Sequence, residues 1–261
     1  METPNHWFDG RCARAFWDQR KALPYQELLN DTVALLDVRA GERWLDLGCG
    51  GGALTAELWR HSRGQVGQIV ASDCSSTNNE AIAKLREKLS PRPAASQLIF
   101  HVGDFSRGLP DWESASFDGI VSGLAISYAE SRDPHTGRYT DAAYNGLLAE
   151  LFRVLKPGGR LVFSVNVPEP RFWKILWRSL WRGFRMSHAR RAFMNALKMQ
   201  SYGRWLKRAA REGRFHFLPL PELLARLERF SFAVAAHRTS YAGQAYVIRA
   251  EKRAAVQTRA A

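Results

Sequence analysis

The chain has 261 residues, 46% of them hydrophobic, with 38 Lys and Arg against 25 Asp and Glu for a formal net charge of +13. This length is enough for one large domain with an insertion and a substantial core. The three cysteines, Cys12, Cys49 and Cys74, form no Cys-x-x-Cys pair, and the histidines form no His-Glu-x-x-His, which excludes a disulfide framework and a zinc motif; no metal is expected. No basic, apolar leader and no stretch of bilayer-spanning length is present, so a cytoplasmic protein, soluble or peripheral at a membrane, is expected.

In chain order, residues 1–40 are polar-aromatic with a helical pattern that ends in Leu28-Leu29 and Val33-Ala-Leu-Leu36. A strand is predicted over 43–47, a helix from Ala53 to Trp59, and a second strand over Gln68–Ser72, ending on Asp73. A helix over Glu80–Leu89 is stopped by Pro91 and Pro93. Strands at Leu98–Val102 and Phe117–Val121 follow, then a helix over Leu147–Leu155, the turn Lys156-Pro-Gly-Gly159 and a fifth strand over Arg160–Val165. After an intervening block, Pro221–Phe230 reads as a helix, and 231–239 and 244–251 as two closing strands. Strands and helices alternating in this way predict an α/β fold with a mostly parallel sheet.

The stretch Trp44-Leu-Asp-Leu-Gly-Cys-Gly-Gly-Gly52 carries most of the chemistry. Gly48, Gly50 and Gly52 let the backbone turn sharply and approach a ligand closely at the start of the following helix. Gly48, Gly50 and Ala53 also satisfy a dinucleotide fingerprint, with Asp73 at about the right distance. Asp46 separates the two readings by charge: a carboxylate there repels a pyrophosphate and attracts a cationic ligand.

The pattern Asp46-x-Gly48-x-Gly50-x-Gly52 resembles motif I of the class I S-adenosylmethionine-dependent methyltransferases, whose cofactor carries a sulfonium and an ammonium and no phosphate. The resemblance continues through Asp73, matching the family's ribose acid, Gly103-Asp104-Phe105, matching the adenine edge, and Ser122-Gly123, lining the cleft. Leu155-Lys-Pro-Gly-Gly-Arg-Leu161 looks like the turn before the fifth strand of the small-molecule branch called type 11. It implies a Rossmann-like, seven-stranded, mostly parallel sheet of order 3-2-1-4-5-7-6 with helices on both faces. S-adenosyl-L-methionine is then the cofactor, held by Asp46, Gly48, Cys49, Gly50, Gly52, Asp73, Cys74, Asp104, Phe105 and Ser122. Asp73 can also simply cap a helix and Asp104 its own turn. Ser75-Ser-Thr-Asn-Asn79 departs from the family in being unusually polar.

The second informative region is 168–216, where thirteen cations face only Glu169 and Glu212, a net of +11 out of the chain's +13. Trp173, Trp177 and Trp181 recur every four residues and, with Leu176, Leu180 and Phe184, fill one helical face beside a stripe of Arg171, Lys174, Arg178, Arg182 and Arg185. Such a stretch suits an anionic membrane surface, a nucleic-acid groove, or a lid whose arginines are solvated.

The expected organisation is an N-terminal helical lid over 1–40, a cofactor core over 41–167, a basic aromatic cap over 168–216, closing elements over 217–251 and a flexible tail over 252–261. Trp7-Phe8-Asp9 and Phe16-Trp17-Asp18 look like the aromatic lid helices of quinone-type methyltransferases. Methyl transfer to a hydrophobic, lipid- or quinone-like acceptor is therefore expected, with 171–185 as a surface for anionic membrane. The rivals are an RNA methyltransferase and a non-catalytic cofactor-binding module. Should a base be needed, His6, Tyr128, His135 and His188 are candidates, Tyr128 being best placed.

Overall fold

The computed structural model describes residues 6–17, 23–171 and 203–253. Seven strands form one sheet: β1 (Arg43–Leu47), β2 (Gln68–Asp73), β3 (Leu98–Val102), β4 (Phe117–Gly123), β5 (Leu155–Asn166), β6 (Phe232–Ser240) and β7 (Ala245–Lys252). Their order is β3-β2-β1-β4-β5-β7-β6, as the sequence implies. The first five strands are parallel, whereas β7 runs antiparallel between β5 and β6.

The alternation of side chains along each strand divides the core into two layers. Trp44, Ile69, Ala71, Val121 and Val162 face α2 (Leu23–Val33), α3 (Ala53–His61) and α4 (Asn78–Lys88). On the opposite face Leu45, Leu47, Ile120, Phe163 and Ile248 pack on α5 (Ala142–Val154) and α6 (Leu220–Arg229). A shorter helix α1 (Gly10–Trp17) lies across the start of α4. A smaller cluster, built on Leu206, Ala209, Phe215 and Phe217, joins Trp7 and Tyr128 where the chain re-enters the core after its insertion.

Several element limits differ from the sequence reading. Helix α5 begins at Ala142, five residues before Leu147, because Tyr144 is fully buried and stacks on His216 at 4.6 Å, anchoring a first turn whose other residues are polar or small. Strand β5 begins at Leu155, paired with Phe117, and the expected turn Lys156–Gly159 is an irregularity inside it before pairing resumes at Gly119 with Arg160. Lys156 reaches back from it to both oxygens of Asp118 at 2.8 Å. Strand β7 extends through Lys252, whose ammonium donates to the carbonyls of Phe152 and Leu155, so this residue, expected in the tail, belongs to the sheet. The tryptophan stripe Trp173, Trp177 and Trp181 and His188 lie outside the described residues.

Candidate functional site

The carboxyl ends of β1, β2 and β4 converge on the glycine turn, the position at which an open α/β sheet presents its ligand crevice. Gly48 and Cys49 both donate backbone N–H to the Ser72 carbonyl, at 2.8 and 3.0 Å, which folds the turn against β2. Gly48 and Gly50 have φ of +73° and +50°, in the left-handed region that glycine adopts without strain. At Gly48 a Cβ would lie 2.3 Å from the Ala125 Cβ, so this glycine permits close packing between the turn and the segment after β4. At Gly50 a Cβ would meet nothing within 4 Å, so the backbone there faces open space.

Asp46 lies on the α3 face of β1, 1% exposed. One carboxylate oxygen accepts from the Thr55 hydroxyl at 2.6 Å; the other is buried and has no hydrogen-bond partner. Burial pushes its pKa up to about 7, against the opposing hydrogen bonds from Thr55. Asp73, at the end of β2, accepts from the Gly50 and Ser75 backbone N–H groups, both at 2.9 Å, with the Asn78 side chain close by. Burial raises its pKa as well, and these donors hold it back.

The other expected cofactor residues divide by what their polar atoms do. Asp104 caps the short turn Phe105–Arg107 by accepting from the Ser106 N–H at 3.0 Å, the local arrangement that an Asx residue favours. Phe105 sits beside Gly48, its ring edge 3.7 Å from where a Cβ there would stand. Ser122 is fully buried and donates its hydroxyl to the Leu47 carbonyl at 2.7 Å, holding β4 to β1 behind the turn. Cys49 is buried and Cys74 half-buried, and burial pushes both thiols upward, which keeps them protonated.

A second group gathers beyond β4 and β5. The Tyr128 ring lies 4.5 Å from Trp7, 4.9 Å from Phe215 and 5.9 Å from Phe217, between centroids. Its hydroxyl accepts from Asn166 Nδ2 at 3.1 Å, and Asn166 Oδ1 is buried without a partner. Turning the amide over would exchange these roles, so in either orientation one polar atom of Asn166 is left over. Burial raises the Tyr128 pKa, so the hydroxyl stays protonated at neutral pH. His135 is exposed, in a turn where its N–H donates to Asp133, well outside this group.

The sequence reading overlooked His216 and Arg214, which fasten the returning chain to this wall. His216 donates its backbone N–H to the Ser127 carbonyl and bonds the Ala129 carbonyl through Nε2; burial lowers its pKa. Arg214 pairs with Glu130, the two side chains being 16% and 15% exposed. Their only sequence signal was position, at the C-terminal end of the basic block 168–216, among whose thirteen cations Arg214 is counted.

These residues suit S-adenosylmethionine. The unpartnered Asp46 oxygen supplies a buried negative site for a cationic ligand, the open backbone at Gly50 admits close approach, and the Asp73 oxygens keep lone pairs for ribose hydroxyls.

Comparison with known proteins gives the same picture. Residues 45–163 match a family model described as a methyltransferase domain. The chain is 29% identical over 164 residues to the carboxy-S-adenosyl-L-methionine synthase of Shewanella amazonensis, covering 61% of this chain and 60% of that protein. It is 30% identical over 145 residues to the biotin biosynthesis bifunctional protein BioHC of Teredinibacter turnerae, covering 54% of this chain and 22% of that one. The matched region thus spans at most about three fifths of the length of these two curated relatives. Among solved structures, a SAM-dependent methyltransferase from Aquifex aeolicus superposes with a TM-score of 0.58 at 15% identity, over 94% of this chain and 99% of that one. A second, from Mesorhizobium loti, gives 0.55 at 19% identity, over 85% and 96%.

Proposed function

We propose that the chain is a class I S-adenosylmethionine-dependent methyltransferase, as the methyltransferase-domain match over residues 45–163 supports, and that it methylates a hydrophobic, ring-bearing small molecule. The observation that carries this reading is the aromatic cluster of Trp7, Tyr128, Phe215 and Phe217, which follows the Ala125 segment packed on Gly48 and includes the Tyr128–Asn166 hydrogen bond. Aromatic rings with few polar groups among them suit apolar, planar ligands, which one or two hydrogen bonds would orient.

Bound S-adenosylmethionine supplies a methyl group already activated by its sulfonium. The protein's part is then alignment and exclusion of water, which provide much of the rate enhancement for an in-line transfer. Asp46 holds the positive end of the cofactor and Asp73 the ribose. Tyr128, kept protonated by burial, acts as a hydrogen-bond donor to an oxygen of the acceptor rather than as a base. The basic, tryptophan-rich stretch 171–185 brings the enzyme to an anionic membrane surface, where such an acceptor partitions; its composition supports this.

Isothermal titration with S-adenosylmethionine tests the cofactor assignment, and mass spectrometry of cell extracts incubated with isotopically labelled cofactor tests the acceptor class. Label confined to RNA, with RNA binding that weakens steeply as salt rises, would replace this reading by nucleic-acid methylation. Cofactor binding with no label transferred to any fraction would leave only a binding module. The name of the Shewanella relative supports one further reading, in which the cofactor itself is modified; a new cofactor-derived mass in the same extracts would favour it.

A further inference from the structure

Helix α1 and the ribose acid Asp73 meet through one buried amide. The Trp17 indole N–H donates to Asn78 Oδ1 at 2.8 Å, across 61 residues of sequence. Asn78 is 2% exposed, and its side chain also lies close enough to the Asp73 carboxylate to help hold its pKa down. An indole N–H can only donate and an ionised carboxylate can only accept, so this pair fixes the amide: oxygen toward Trp17, nitrogen toward Asp73. No carboxylate or aliphatic side chain at position 78 meets both demands.

The same helix covers the glycine turn. A Cβ on Gly51 would lie 3.1 Å from Trp17 Cδ1 and 3.4 Å from its Cα, so the indole rests on the turn whose next N–H neighbour, that of Gly50, donates to Asp73. At its other end α1 abuts α4, where a Cβ on Gly10 would stand 2.4 Å from Thr77 Oγ1. The roof over the turn and the partner of the ribose acid are thus parts of one helix, and the unusually polar Ser75–Asn79 stretch is where they meet.

We propose that Trp17 and Asn78 are positioning residues of the cofactor site, forming an indole–amide–carboxylate relay through which α1 holds Asp73 in its ribose-binding orientation. The proposal rests on the assignment of S-adenosylmethionine to the turn. In the relay the cofactor binds tightly only with α1 seated, and its release requires the Trp17–Asn78 bond to open. Trp17 works through Asn78, so its hydrogen bond has no independent effect on affinity.

The test is calorimetric titration of the full-length protein with S-adenosylmethionine and S-adenosylhomocysteine, for the wild type, Trp17→Phe, Asn78→Leu and the double variant, beside thermal melts without ligand. Trp17→Phe keeps a ring over the turn and removes only the donor; its Kd should rise roughly five- to tenfold, the size of one hydrogen bond, while the ligand-free melting temperature stays at the wild-type value. The double variant should bind no more weakly than Asn78→Leu alone. If Asn78→Leu is too unstable to titrate, Asn78→Ser, which shortens the arm without placing an apolar group there, takes its place in the cycle. Wild-type affinity in Trp17→Phe, or losses that add in the double variant, would overturn the relay while the cofactor assignment stands. A wild type that binds neither ligand overturns both.

Discussion

The two glycines of the turn should fail in different ways when each is changed to alanine. At Gly48, φ is +73° and the new Cβ would stand 2.3 Å from the Ala125 Cβ, far inside the ~3.5–4.0 Å optimum for two carbons. The left-handed conformation costs an alanine about 1–2 kcal/mol and overpacking a further ~1–3 kcal/mol, so the fold should lose on the order of 2–5 kcal/mol. In a domain of this size that corresponds to a fall in Tm of roughly 5–20 °C. At Gly50, φ is +50° and nothing lies within 4 Å of the added methyl group, so only the conformational cost of about 1–2 kcal/mol applies. On the proposed placement of the cofactor that methyl group would stand in its way, and affinity for S-adenosylmethionine should fall at least tenfold. Chemical denaturation and calorimetry on both variants measure the two effects. The reasoning fails if Gly50→Ala destabilises the free protein as much as Gly48→Ala, or if Gly50→Ala binds the cofactor as the wild type does.

Asp46 predicts a pH dependence of opposite sign for the free and the liganded protein. Its folded pKa, about 7, stands above the unfolded 3.8, so its contribution to the free protein's stability is complete below about 3.8 and lost as pH rises through 7. A cationic ligand favours the ionised form, so cofactor affinity should rise with pH across the same window. Asp46→Asn should flatten both profiles and, at pH 8, raise the ligand-free Tm while weakening binding; thermal melts and calorimetry at pH 6 and 8 would show it, and an unchanged affinity profile in the variant would refute it. Tyr128→Phe should raise the acceptor KM several-fold with kcat within about tenfold of wild type, whereas a kcat loss of about 10²-fold or more would identify a base. Removing Arg214 by substitution with alanine leaves Glu130 unpaired in a half-buried position, which should cost about 1–3 kcal/mol in denaturation and expose the 203–217 segment to limited proteolysis; wild-type stability would show the pair to be idle.

Much of the fold can be read directly because alternation along the strands and the ends of β1, β2 and β3 are local properties. Asp46, Gly48 and Asp73 are legible for the same reason: a strand, a turn and a charge lie within a few residues of one another. What escapes is whatever depends on contacts distant in sequence. The early start of α5 rests on Tyr144 stacking with His216, and the interruption of β5 rests on Lys156 reaching Asp118. Ser75–Asn79 looks out of place for a helix start, yet Ser75 and Asn78 are both 2% exposed: the Ser75 backbone N–H donates to Asp73 and the Asn78 amide accepts from Trp17, while the Ser75 hydroxyl is buried without a partner. Ser122 has the opposite lesson: its place after β4 suggests the cleft, but its hydroxyl is spent within the sheet.

The insertion leaves and rejoins the core at points that are tied together. Val167 donates to the Gln244 carbonyl at 3.1 Å, Glu169 pairs with Arg211 at 3.0 Å and Lys207 at 3.6 Å, and Arg214 pairs with Glu130. The described residues on either side of 172–202 are therefore held by the core. If 168–216 is the acceptor-recognising cap proposed above, a graft exchanging 172–202 between two such proteins should carry acceptor preference with it and leave cofactor affinity behind.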